Sequence, residues 1–177
     1  MNTKSILLTY ATRFGSTQEV AEVITTALRE TGIKVDLQPI QEVQRLGDYD
    51  GIVLGAALYN ARWHQEAHQF LAKYQDVLMQ RPVAIFALGP LNTGEAAMRN
   101  SRRQLDKELE KYPWLKPVAV EMFAGKYDPS KPGLGFFGRL LPARDYRNWG
   151  TIRAWANILP VQLQHDELLH PAYSSTR

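Results

Sequence analysis

The sequence predicts an α/β protein in which a parallel sheet carries helices on both faces. Three observations predict it. Five short apolar runs alternate with helical patterns along the chain. The runs are nearly continuous, as they are in strands buried on both sides. A length of 177 residues, with 45% hydrophobic and 22% charged residues, suits one globular domain burying about two-thirds of its unfolded surface.

"SILLTY" (Ser5–Tyr10) reads as the first strand. Ser16 then offers an N-cap with Glu19 three residues on, a capping box. Val20, Ile24, Ala27 and Leu28 follow at helical spacing, and Gly32 supplies a stop. "IKVDLQ" (Ile33–Gln38) alternates as a second strand, and "GIVLGAA" (Gly51–Ala57) is a third. His64 to Met79 reads as a helix, "PVAIFAL" (Pro82–Leu88) as the fourth strand, and Glu95–Tyr112 as a charged helix. "PVAVEMFAG" (Pro117–Gly125) is the fifth strand, and "WGTIRAWANIL" (Trp149–Leu159) the last helix. Between them, Pro129, Pro132 and Pro142 break the pattern over 126–148, which reads as an inserted surface loop.

Composition removes several function classes. No apolar run approaches the ~20 residues that span a bilayer, and the N-terminus lacks a signal-peptide layout. The absence of cysteine excludes disulfides, thiolate metal sites and thiol redox chemistry, so any redox function needs a bound cofactor. The net charge of +3 favours anionic partners without indicating nucleic acid.

The stretch "LLTYATRFGSTQEVA" (Leu7–Ala21) falls where a doubly wound sheet binds its ligand, beyond the carboxyl end of a strand. Small residues there let backbone N–H groups converge. The helix starting near Ser16 adds unpaired donors and a positive dipole end, and Thr12, Ser16 and Thr17 add hydroxyls. This is a phosphate site, or else a turn with a capped helix behind it; spacing alone leaves both open. A P-loop is excluded because no Lys follows Gly15. "GLGFFG" (Gly133–Gly138) matches G-x-G-x-x-G but lies between prolines rather than at a strand-to-helix turn, and reads as coincidence.

Tyr10-x-Thr12-x-x-Gly15-x-Thr17-x-x-x-Ala21 resembles the flavodoxin signature, whose first loop wraps the phosphate of flavin mononucleotide (FMN). Thr9 departs from it, standing where an apolar residue is usual. "YDGIVLGAALYNARWHQEAHQFL" is similar to the second flavin loop of the flavodoxin-type, quinone-dependent protoporphyrinogen oxidases, and "DYRNWGTIRAWA" resembles the same broad group. The resemblance implies a flavodoxin-like, five-stranded sheet in the order 2-1-3-4-5, over a domain at 1–161 with a tail at 162–177.

It further implies that Thr12, Arg13, Phe14, Gly15, Ser16 and Thr17 hold the phosphate. Ala57, Leu58, Tyr59 and Asn60 would lie against the isoalloxazine ring, and Gly89, Pro90, Leu91 and Asn92 would form a third loop. Arg13 is a departure, because the family's phosphate site is usually uncharged; it would pair with phosphate or point to solvent. Only Tyr59 and Trp63 are placed to stack on the ring, which would leave one flavin face open to a substrate.

The function the resemblance implies is an FMN-dependent oxidoreductase or electron-transfer protein, with protoporphyrinogen oxidase-like chemistry and a quinone acceptor as its finer form, cytoplasmic or peripheral at the membrane, with a redox partner or quinone. A carrier between protein partners and an NAD(P)H:quinone reductase-like enzyme remain alternatives, as does a scaffold that has lost its flavin. The basic charge counts against the carrier, since small flavodoxins tend to be acidic. In the insertion, Phe136, Phe137, Leu140 and Leu141 stand among Lys126, Lys131, Arg139, Arg144 and Arg147, which suits an anionic membrane surface or an apolar acidic substrate, or else covers the sheet. His64 and His68 share a helix face but lack the zincin order and a third ligand, so no metal is expected. No catalytic acid, base or nucleophile is assigned.

Overall fold

Leu7, Leu8, Ile52, Val53, Ala84 and Ile85 are all fully buried, and neighbours in sequence point to opposite faces of the sheet. Continuous apolar runs are therefore what the architecture requires. The computed structural model describes residues 4–131 and 139–169, with side chains described as far as Gln164. Its strands are β1 (Ser5–Ala11), β2 (Lys34–Pro39), β3 (Gly51–Tyr59), β4 (Arg62–Trp63), β5 (Val83–Leu88), β6 (Ala119–Phe123), β7 (Lys126–Tyr127) and β8 (Arg144–Asp145). Its helices are α1 (Ser16–Glu30), α2 (Gln65–Lys73), α3 (Gln75–Leu78), α4 (Glu95–Leu109) and α5 (Trp149–Leu169), with a short 3-10 turn at Ile40–Glu42.

The long strands run parallel in the order β2-β1-β3-β5-β6, with the two-residue β4 folded back antiparallel on β3. Setting β4 aside, this is the predicted 2-1-3-4-5 order. On one face Leu8, Val53 and Phe86 pack under α1 and α5, through Val20, Ile24, Trp155 and Leu159. On the other, Leu7, Leu54 and Ile85 pack under α2 and α4, through Phe70, Leu71 and Leu105. Thr9, the departure from the flavodoxin pattern, is fully buried and its hydroxyl finds no partner among the described residues.

The helices differ from the periodicity in four places. The N-cap of α1 is Gly15, not Ser16, and no side chain caps the helix. The predicted 64–79 helix is broken at Tyr74 (φ −112°), whose hydroxyl donates to the Val43 carbonyl at 2.8 Å. The charged helix stops at Leu109 rather than Tyr112. The last helix continues through Pro160 to Leu169, and Leu163 is buried in the α1 face of the core. Among the described residues no helix is long and apolar enough to cross a membrane.

Candidate functional site

The first loop is shaped by its own side chains. The Gly15 N–H donates to Thr12 Oγ1 at 3.0 Å, which closes the turn after β1. Gly15 then takes φ +90°, a left-handed conformation that a Cβ disfavours, and starts α1. Nothing lies within 4 Å of the point a Gly15 Cβ would occupy, so the glycine serves conformation rather than close packing. Thr17 is fully buried, and its Oγ1 has no hydrogen-bond partner among the described residues. The first N–H groups of α1 have no acceptor within the helix.

The second loop is a hairpin. β3 runs on past Ala57 to Tyr59 because β4 pairs with its end, Leu58 opposite Trp63 and Tyr59 opposite Arg62. The turn is Asn60–Ala61, at φ 49° and 60°. Positive φ at both central residues marks a type I′ turn, whose twist matches the strands. Tyr59 is 46% exposed. The Arg13 guanidinium lies 5.4 Å from its ring centre and 5.1 Å from that of Phe14, so Arg13 bridges the first and second loops from the solvent side. Trp63, the other candidate to stack on a ring, is buried edge-on to His68, with ring centres 5.6 Å apart.

The third loop leaves β5. Gly89 N–H donates to Phe123 O at 3.0 Å, and the Pro90 carbonyl accepts from Gly125 N–H at 2.9 Å. A Cβ on Gly89 would stand 2.7 Å from Met122 Sδ, so this glycine permits a close approach. Asn92 is exposed and accepts from Gly94 N–H of its own loop at 2.9 Å.

The described ends of the insertion meet each other. β7 and β8 pair antiparallel, Lys126 opposite Asp145 and Tyr127 opposite Arg144. Beyond them Arg147 is buried at 7% exposure. Its Nε and Nη2 donate to the two Asp145 carboxylate oxygens at 2.8 and 2.6 Å, Nη2 also donates to Glu19 at 2.7 Å, and Nη1 donates to Ser16 O at 3.3 Å. Trp149 lies under the guanidinium at 4.4 Å. Lys126 Nζ reaches the other Glu19 oxygen at 3.3 Å.

Burial pushes the Glu19 carboxyl up, but hydrogen bonds and charge from Arg147 and then Lys126 outweigh it and leave the group below its ordinary value. The Arg147 hydrogen bonds lower Asp145 against a smaller opposing effect of burial. Glu19 is thus an anchor for the insertion, not the far half of a capping box. Arg147, expected beside Phe136 and Phe137 in a cationic apolar surface, is instead spent on these carboxylates. Phe136 and Phe137 lie outside the described residues, whereas Leu140 and Leu141 are exposed at 66% and 56%.

These loops surround one cavity of about 270 Å³ at the carboxyl edge of the sheet. Of the fourteen expected residues, Phe14, Ser16, Ala57, Leu58, Tyr59, Asn60, Gly89 and Leu91 line it. Thr12, Arg13, Gly15, Thr17, Pro90 and Asn92 do not; Thr17 is buried, whereas Arg13 and Asn92 are exposed to solvent. Leu88, Gly125, Lys126, Tyr127, Asp128 and Lys131 line it and were missed. The signal that could have found them is topological: the fifth strand ends on the same edge, so its following segment must pass the ligand. The residues present fit FMN. The orphaned Thr17 hydroxyl and the uncrowded Gly15 sit in the loop expected to hold phosphate, and the apolar wall of Leu58, Leu88 and Leu91 suits a flat ring.

His64 and His68 each have partners of their own. His68 Nε2 meets Glu108 at 2.8 Å and Nδ1 meets the Tyr112 hydroxyl at 2.6 Å, while His64 caps α2. No group of side chains that could hold a metal ion occurs among the described residues.

A doubly wound sheet with its loops gathered at the carboxyl edge is the architecture of a nucleotide-cofactor protein. More particularly, the chain belongs to the flavodoxin domain family, whose model matches residues 7–141. It is 27% identical over 84 residues to the protoporphyrinogen IX dehydrogenase [quinone] of Escherichia coli K12, covering 46% of each chain. The chain's match thus spans about half the length of this curated relative. Among solved structures, a flavodoxin from the domain Archaea aligns over 91% of this chain and 99% of its own, with a TM-score of 0.57 at 12% identity. The Fusobacterium nucleatum flavodoxin bound to flavin mononucleotide aligns over 92% and 100%, at 0.57 and 16%. Rubredoxin oxygen:oxidoreductase from Desulfovibrio gigas aligns over 92% of this chain and 37% of its own, at 0.54 and 14%. These likenesses carry the fold.

Proposed function

We propose that the chain binds FMN at this cavity and serves as an oxidoreductase that delivers electrons to a quinone. The observation that carries the reading is the convergence of the first, second and third loops on one apolar cavity, with a buried Thr17 hydroxyl in the first loop that has no partner among the described residues. FMN would supply electron transfer at its ring. Thr12, Gly15, Ser16 and Thr17 hold and shape the phosphate site. Leu58, Leu88 and Leu91 exclude water. Tyr59, steadied by Arg13, and the backbone at Gly89 and Gly125 would hold the ring. Protoporphyrinogen, the substrate in the name of the Escherichia coli relative, is the organic donor proposed here. Contact with an anionic membrane through Leu140 and Leu141 would bring a lipid-soluble quinone within reach.

Two measurements test this. FMN should bind at micromolar concentration, read from quenching of flavin fluorescence; no binding ends the proposal. In an anaerobic cell, protoporphyrinogen should bleach the bound flavin and a quinone should restore its colour. Bleaching by NADH or NADPH alone would make the chain a nicotinamide-dependent reductase instead. Bleaching by none of the three would make it a carrier between protein partners.

A further inference from the structure

We propose that Arg147 is a positioning residue of the FMN site, coupling the β7–β8 hairpin to the phosphate loop. The inference rests on FMN binding as proposed above. Arg147 belongs to the far end of the insertion, yet its side chain is 1% exposed and its donors are divided between two elements. Asp145, on its own hairpin, takes two side-chain N–H groups and also the Arg147 backbone N–H at 3.1 Å. Glu19 and the Ser16 carbonyl, both in the first turn of α1, take the others. Ser16 is itself a wall of the cavity.

A second tie reinforces the first. Lys126 opens β7, lines the cavity and holds the remaining Glu19 oxygen. Two cations, Arg147 and Lys126, therefore meet two carboxylates, Glu19 and Asp145, at the start of α1. A cation at a helix N-terminus is ordinarily misplaced, because the dipole end there is already positive. The carboxylates offset that cost, and a bound phosphate dianion would offset it further. The hairpin in turn brings Tyr127 and Lys131 to the cavity wall, and Tyr146 N–H ties its base to Gly125 O at 3.1 Å. The guanidinium does not reach the cavity surface. It acts through Ser16 and Glu19, by fixing the first turn of α1 and the hairpin in one arrangement.

Coupling between two sites is reciprocal. If Arg147 joins them, FMN must protect the hairpin, and the hairpin must raise FMN affinity. The test compares the full chain with Arg147→Met, which keeps the aliphatic stem, and with Glu19→Gln. Glu19 is 44% exposed, so its variant keeps the fold if Arg147→Met does not. In the unsubstituted protein, FMN should slow amide hydrogen exchange at Gly125 and Tyr146 as well as in the first turn of α1. In either variant the FMN dissociation constant should rise roughly tenfold, and FMN should protect α1 while the hairpin stays as it was. Affinity within twofold of the unsubstituted protein in a folded variant would overturn the proposal, as would equal hairpin protection with and without the clamp. Failure of the unsubstituted protein to bind FMN would instead strike the reading on which it rests.

Discussion

Gly55 on β3 and Phe86 on β5 face each other across the sheet, and the Phe86 ring fills the space in which a Gly55 side chain would stand. A Cβ there would lie 2.1 Å from the ring's Cζ. The ring cannot retreat, because it is fully buried against Phe123 and Trp155. Gly55→Ala should therefore destabilise by about 1–3 kcal/mol, the usual cost of overpacking a rigid core. Thermal or urea unfolding reads it, and an unchanged midpoint would show that the ring has room to move.

Gly15→Ala tests conformation separately from space. With nothing near the new methyl group, only the left-handed φ opposes it, at about 1–2 kcal/mol. The expected result is a lower melting temperature together with weaker FMN binding. Equal stability would mean that the loop relaxes to another conformation.

Ala61→Gly should act in the opposite sense. Ala61 holds φ 60° in an exposed turn, and the substitution completes the Asn-Gly pair that type I′ turns favour. Relief of strain exceeds the added entropy of glycine, so a gain of about 0.5–1 kcal/mol is expected in equilibrium unfolding.

Acid should loosen the insertion. Glu19 and Asp145 titrate below their ordinary values of 4.5 and 3.8 in the folded chain. Groups lowered by folding contribute stability above the unfolded values and lose it as pH falls through the folded ones. The melting temperature should fall between about pH 5 and pH 3, and less steeply in Glu19→Gln. Parallel curves for the two proteins would remove Glu19 from the account.

Arg13, Arg62, Lys131 and Arg144 differ from Lys126 and Arg147 in having no ion pair among the described residues; Arg13 lies over Tyr59, Arg62 and Arg144 stand opposite Tyr59 and Tyr127, and Lys131 lines the cavity. Reoxidation of reduced, FMN-loaded protein by ferricyanide should slow as salt rises, while oxidation by hexaammineruthenium(III) should quicken. The same salt response for both acceptors would deny a cationic mouth.

The apolar runs determined the sheet, since strands buried on both faces leave a local mark in the sequence. The Thr12–Thr17 loop was legible for a related reason: the turn and the helix start are made by residues adjacent in the chain. Ser16 shows the limit of that logic. Its capping pattern with Glu19 was real in sequence, but Gly15 starts the helix and Glu19 turns to Arg147, 128 residues away. Spacing cannot reveal such a partner. Only the parallel topology, which delivers the end of β6 beside the start of α1, brings Lys126 and Arg147 to Glu19. The burial of Arg147 likewise follows from what surrounds it in space: two carboxylates and Trp149 make a buried guanidinium tolerable where its own neighbours in sequence suggested an exposed, cationic loop.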